Sequence, residues 1–360
     1  MNSLVIHIIS SPDGGGAEFL VREINKELND NGLKSLAIFF NNPRNISLKN
    51  NEYQLSNFSA YNPINFIILF FFLLKKTRIY KKVILHGHLT HALYFLMPFS
   101  FLKKFSLIYT EHNSYNKRRD IKFLRPFERF VYSRYVKVIS ISHFVENELT
   151  KWLGFNKNKF DKEKFVVILN GTKLYPFVKR NFNKKKFNLL SIGSLTNQKS
   201  FDLSIQAINK NKEYIDKYYI LGEGPQREYL KKLILKSKLE DFVELVGFAD
   251  PEVFLSRCDI GLIPSKWEGF GLASIEMVSS GIPLIISNVK GMADLFTNIK
   301  TVSIVKDREI YSWSFAIKNL ITNIKHYEKL VLESSNSVAN FSITKMAENY
   351  KKEYLKILEF

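Results

Sequence analysis

Short apolar runs alternate along the chain with stretches whose apolar residues recur at helical spacing. Strands are expected at residues 4–9, 36–40, 83–86, 106–110, 136–141 and 165–169. After the first of these, Ala17, Leu20, Val21, Ile24 and Leu28 fall on one helical face, and Gly32 stops the helix. Further helices are expected near 62–76, 122–134 and 143–153. The pattern breaks at Asn170-Gly171, where a Lys-, Asn- and Pro-rich stretch reads as a linker. A second series follows, with strands at 188–192, 218–221, 243–246, 260–263 and 284–286, and a terminal helix over 343–358. Strands alternating with helices predict two doubly wound α/β domains.

Composition narrows this picture. The apolar fraction of 46% is too high for a disordered chain, and one cysteine, Cys258, forms no internal disulfide, which fits a reducing compartment. The opening MNSLVIHIIS soon reaches polar, Gly-rich SPDGGGAE, so no secretory leader is expected. The longest apolar run, residues 66–74, is far short of the roughly 20 residues of a spanning helix.

Charge adds more. The net charge is +19, and residues 1–180 carry 28 Lys and Arg against 13 Asp and Glu. Residues 181–360 carry 25 against 21, and residues 75–137 alone hold 15 basic and 3 acidic side chains. A general drift toward lysine does not explain that asymmetry. It points to an anionic partner: nucleic acid, a membrane surface or a phosphorylated substrate. No nucleic-acid recognition motif accompanies it, so a basic nucleic-acid-binding protein is the weaker reading.

Three segments have the form of a strand running through a loop into a helix, where backbone N–H groups can hold an anion. The first is Gly14-Gly15-Gly16-Ala17-Glu18, which read alone is equally a structural turn. The second runs from Ser191 through Gly193 and Ser194 to Lys199, whose ammonium could reach a phosphate or simply be solvated. The third is Trp267-Glu268-Gly269-Phe270-Gly271-Leu272-Ala273-Ser274-Ile275-Glu276. Its glycines permit a tight turn, and its two carboxylates, eight positions apart, suit two polyols. Ordinary surface glutamates are the alternative, made less comfortable by the apolar residues on both sides.

The stretch from Glu268 to Glu276 resembles the E-x7-E motif of retaining glycosyltransferases of the GT-B fold, especially glycosyltransferase family 4. The resemblance runs nearly end to end. It includes Gly14 to Glu18, Ser140-Ile141-Ser142, Leu169-Asn170-Gly171, the Ser191 to Lys199 loop, Gly222-Glu223-Gly224-Pro225 and Val246-Gly247-Phe248. It implies two Rossmann-like domains with a cleft between them: an acceptor domain over 1–172, a linker over 173–186 and a donor domain over 187–342. The helix at about 343–360 would pack back on the first domain.

The resemblance also implies roles. Glu276 would take the nucleotide ribose, Glu268 the donor sugar or its surroundings, and Lys199 the diphosphate. Gly15, Gly16, Ser194, Gly222, Phe248, Phe270, Gly271 and Leu272 would complete the donor site. His112 would stand near the transferred sugar, although by itself it reads equally as a structural histidine. Ser194 occupies a position where many members carry arginine, which leaves the diphosphate to Lys199 and the helix terminus or to another basic residue.

The implied reaction is retaining transfer from a nucleotide diphosphate sugar, such as a UDP-sugar, with no cofactor and no metal. The acceptor would be a saccharide, or a polyprenyl-diphosphate-linked intermediate of surface polysaccharide synthesis. A nucleotide-sugar epimerase of the same fold is the alternative. The histidines of His86-x-His88-x-x-His91 raise zinc, but no carboxylate or cysteine lies nearby in sequence, so His86 and His88 are expected on the acceptor side. The apolar run 66–74, followed by Lys75, Lys76, Arg78, Lys81 and Lys82, predicts peripheral attachment to the cytoplasmic face of an anionic membrane. A buried core helix is the alternative there.

Overall fold

The computed structural model describes residues 3–12, 15–114, 116–155, 163–328 and 330–359. They form two compact units, Met1–Gly171 with Ile343–Phe360, and Thr172–Ser342. The first holds strands β1 (Ser3–Ile9), β2 (Ser35–Phe39), β3 (Glu52–Gln54), β4 (Lys82–His88), β5 (Phe105–Glu111), β6 (Lys137–Ser140) and β7 (Phe165–Val167). They lie in the order β3-β2-β1-β4-β5-β6-β7. The second holds β8 (Phe187–Ile192), β9 (Ile215–Leu221), β10 (Val243–Gly247), β11 (Ile260–Ile263), β12 (Leu284–Ser287) and β13 (Val302–Val305), in the order β10-β9-β8-β11-β12-β13. Every strand pair in both sheets is parallel. In each sheet the order reverses beside its first strand, between β1 and β4 and between β8 and β11. Ligands of open α/β sheets collect beyond the strand ends at such a reversal.

The apolar runs form strands because both faces of each sheet are covered. Along β1 every residue is buried. Leu4, Ile6 and Ile8 enter a core with Leu69, Leu73, Val83, Leu85 and Leu107. The alternate residues Val5, His7 and Ile9 face the other side. The helix Ile343–Glu359 belongs to this unit and buries Met346, Ala347, Tyr350, Tyr354 and Leu358, a spacing of three and four that makes one helical stripe. Lys351 Nζ donates to the Asn31 carbonyl at 2.8 Å, and Lys137 pairs with Glu353 at 3.0 Å.

Some elements depart from the sequence expectation. β3 and β13 were not anticipated, nor was the helix Leu89–Leu96, which follows β4 with no intervening loop. The stretch 173–186, expected as a linker, lies within the second unit, anchored by buried Arg180. Its guanidinium donates to the carbonyls of Cys258, Val178, Ser280 and Leu255. Burial lowers its pKa to about 10, which leaves it charged at neutral pH. No described helix is long and apolar enough to cross a membrane.

Candidate functional site

In the second unit, two loops leave the sheet at its reversal. The loop after β8 carries Gly193, Ser194 and Lys199, and the loop after β11 carries Glu268 and Gly271. Lys199 Nζ donates to Glu268 Oε1 at 2.5 Å, and Ser265 Oγ donates to the same oxygen at 2.8 Å. The ion pair ties the loops together across the reversal. Arg308 braces the β11 loop from β13's side of the sheet, donating to the carbonyls of Pro264 and Ser265.

Gly271, at φ +83°, then turns the chain into the helix Leu272–Ser279. The first amides of that helix have no acceptor within it and carry its positive dipole end. One turn further on, Glu276 accepts from Thr172 Oγ1 at 2.5 Å, and burial raises its carboxyl pKa. A cation, helix amides and a carboxylate able to accept from a diol thus occupy one end of this sheet.

The β8 loop is held by a neighbouring glycine turn. Leu195 N–H donates to the Glu223 carbonyl, and Gln226 N–H to the Leu195 carbonyl. A Cβ on Gly222, whose φ is +131°, would lie 2.1 Å from the Gly193 oxygen. Gly222 and Gly224 therefore act by letting two backbones touch. Ser200, directly after Lys199, adopts φ +50°, uncommon for a residue with a side chain.

The first unit gathers histidines at its own reversal. Strand register sets His7 of β1 opposite His86 of β4, and His88 opposite Thr110 of β5. The two-residue period puts His86 and His88 on one face. His7 Nδ1 lies 3.1 Å from His88 Nε2, and His88 Nδ1 lies 3.1 Å from His112 Nε2. His86 Nδ1 meets the Tyr354 hydroxyl at 2.6 Å, and its Nε2 meets Thr110 Oγ1 at 2.8 Å. Burial pushes the His7 pKa down to about 3 and that of His112 to about 4; His86 and His88 are also lowered well below the usual value. Leu89, directly after His88, takes φ +65°, strained for a leucine.

Both halves of the chain match known protein families. The family described as Glycosyltransferase Family 4 matches residues 14–174, and that described as Glycosyl transferases group 1 matches residues 176–335. Together the two matches take in most of the chain, which is similar to glycosyltransferase family 4 in both halves. An O-antigen biosynthesis glycosyltransferase of Escherichia coli, WclY, is 31% identical over 181 residues, 48% of this chain and 49% of the relative. This chain spans about half the length of the curated relatives it matches. The fold is GT-B. A sucrose-phosphate synthase from Thermosynechococcus elongatus superimposes with a TM-score of 0.83 at 17% identity, over 99% of both chains. Anabaena HepE in complex with UDP-glucose does so with a TM-score of 0.79 at 16% identity, over 98% of this chain and 99% of HepE.

The structure sets the remaining expected site residues in varied surroundings. Phe270 was expected to touch the donor, but its ring is buried edge-on against Phe341 at 5.8 Å, so it anchors the turn. Phe248 is 74% exposed and Ser194 is exposed, whereas Leu272 is half-buried at its helix start. Gly15 and Gly16 open the helix Gly16–Asp30 at the end of β1, while Gly14 lies outside the described residues.

His86 and His88 were expected to face an acceptor, yet both are fully buried, and His86 spends both nitrogens inside the protein. His91 stands apart from them, half-buried with its ring 3.9 Å from that of Tyr61. The third member of the cluster is His7, which the sequence reading passed over. The nitrogens of His7, His86 and His88 are close enough for a metal ion. Among those three residues only His7 Nε2 is uncommitted, so coordination would break existing hydrogen bonds.

Proposed function

We propose that this chain transfers a sugar, with retention and without a metal, from a nucleotide diphosphate sugar of the UDP type to a saccharide acceptor carried on a polyprenyl diphosphate. The observation that carries the donor half is the Lys199–Glu268 pair beside the amino end of the helix Leu272–Ser279. When the bond from the sugar's anomeric carbon to the diphosphate breaks, negative charge grows on the departing phosphate oxygen. Lys199 and the helix amides offer fixed positive potential for that charge. Glu276 is the acceptor for the ribose hydroxyls, and Glu268 aligns Lys199 and meets the sugar. His112 lies near the sugar in this reading. The UDP-glucose complex of HepE and the O-antigen name of WclY support the donor and acceptor classes.

The membrane half rests on the helix Ile64–Thr77. Its Leu69 and Leu73 are buried, but Ile64, Ile67, Phe71 and Leu74 are exposed, Phe71 by 65%. Exposed Lys75, Arg78 and Lys81 follow that apolar stripe. Such a face suits an anionic bilayer surface, each basic residue adding roughly 1 kcal/mol. This reading places the enzyme on the cytoplasmic face of the cell membrane.

Two experiments test the two halves. Thermal shift against a panel of nucleotide sugars should show stabilisation by the true donor; no shift with any of them would remove the donor assignment. Co-sedimentation should show binding to anionic vesicles and not to neutral ones. That binding should disappear when Lys75→Glu, Arg78→Glu and Lys81→Glu are combined. Equal recovery with both vesicle types would remove the membrane.

A further inference from the structure

The histidines of the first unit form a chain with one open end and one closed end. His112 is partly exposed, and among the described residues it is hydrogen-bonded through Nε2 and not through Nδ1. At the other end, His7 Nε2 is buried and likewise has no partner among the described residues. The rings of His86, at 5.2 Å, and Tyr354, edge-on at 6.1 Å, lie beside His7 and offer no acceptor to that nitrogen. The three linked rings, His7, His88 and His112, are each held neutral by burial.

Proton counting leaves few arrangements. A neutral imidazole carries one N–H, so one nitrogen donates and the other accepts. Each of the two links needs one proton, and His88 can supply only one link. With three protons and both links made, only two states exist. All three rings are protonated at Nε2, or all three at Nδ1. The Nε2 state buries the His7 N–H against groups that cannot accept it, and an orphaned buried donor is the rarer and costlier defect. The Nδ1 state leaves only an unused lone pair there.

We propose that this closed inner end fixes His112, through His88, as the Nδ1–H tautomer, so that it presents a permanent hydrogen-bond donor at its exposed edge. His88 is then a positioning residue. In the donor reading above, on which this last step rests, His112 donates to an oxygen of the bound sugar or its leaving group. It does not take the acceptor's proton, because its outward nitrogen already carries one.

Two-bond ¹⁵N–¹H NMR of histidine-labelled full-length protein reads each tautomer directly. His7, His88 and His112 should all be protonated at Nδ1; Nε2–H or a mixture at His112 overturns the proposal. His88→Asn keeps a donor where Nδ1 stood and should retain Nδ1–H on His112. His88→Leu, of similar volume, should release His112 to a mixture of tautomers. In transfer assays, His88→Leu should lower kcat roughly 10-fold with KM for the nucleotide sugar little changed, and His88→Asn should recover most of it. Equal loss in both variants with His112 unchanged would reduce His88 to a packing role and overturn the proposal. The NMR result holds apart from the donor reading. Nδ1–H on His112, together with full transfer by His112→Ala, would sustain the tautomer and defeat the donor reading.

Discussion

The two sheets share an order over six strands, the first adding β7 at its edge, and differ in what they place where it reverses. At the β1/β4 reversal stand three buried histidines and the partly exposed His112, held neutral and linked to one another or to Tyr354 and Thr110. At the β8/β11 reversal stand a lysine, two glutamates and a helix start. Each site is followed by a non-glycine residue in the left-handed region, Leu89 after His88 and Ser200 after Lys199. The same topology therefore builds two kinds of polar site. One is a set of hydrogen bonds without net charge, and the other a lysine and two carboxylates beside a helix start.

Acid should separate the two most strongly. His7, His86, His88 and His112 have folded pKa values below the unfolded 6.5, so the unfolded chain binds more protons as pH falls. Their stabilisation is complete above about pH 6.5 and drains away below it, toward the folded values of about 4 and 3 for His112 and His7. At pH 5.5 keeping one histidine neutral costs about 1.4 kcal/mol, or about 6 kcal/mol for four. Glu276 in the second unit has the opposite sign: its raised carboxyl pKa favours the folded state below pH 4.5 and loses that contribution as pH rises. Hydrogen exchange at pH 7.5 and 5.5 should show protection lost first across β1, β4 and β5. Equal loss in both sheets would break the contrast.

Charge removal should strike only the second site. Lys199→Ala is expected to lower turnover by about 10²–10³, or roughly 3–4 kcal/mol, beyond the smaller loss of stability from leaving Glu268 unpaired. Steady-state kinetics check this, and unchanged turnover would move the diphosphate contact elsewhere.

The glycine loops give a smaller and sharper contrast. Gly222→Ala places a Cβ against the Gly193 carbonyl at φ +131° and should cost about 3 kcal/mol in urea unfolding. Gly15→Ala meets only the Glu18 carboxylate at 3.4 Å, with φ −177°, and should stay within about 0.5 kcal/mol of wild type. A large loss for Gly15→Ala would show that the first loop is also built on backbone contact. The smallest expected effect is that of a chelator, which should leave transfer intact because all the His7/His86/His88 nitrogens except His7 Nε2 are committed to one another, Tyr354, Thr110 and His112. Loss restored by one divalent ion would reverse this.

The strands were legible because both sheets are covered on two faces, so continuous apolar runs such as Leu4 to Ile9 mark them. β3 escaped because Glu-Tyr-Gln carries no apolar run, and the helix Leu89–Leu96 because no turn residue separates it from β4. Arg180 was read as part of a linker because composition cannot show the four carbonyls that hold it. In the candidate site, Lys199, Glu268 and Glu276 were singled out by their motifs, but the pairing of Lys199 with Glu268 needed the β8/β11 adjacency. His7 looked like a lone polar residue in a strand. The available signal was positional: His7, His88 and His112 all lie toward or just past the carboxyl ends of β1, β4 and β5, which parallel packing brings to one edge.

The central claim, that the second unit's reversal holds the nucleotide, is tested most directly by titrating UDP calorimetrically into wild type and Glu276→Ala. Wild type should bind, and Glu276→Ala should bind at least about tenfold more weakly, since a carboxylate accepting from the ribose is lost. Equal affinity in the two proteins, or no binding by wild type, would contradict the account.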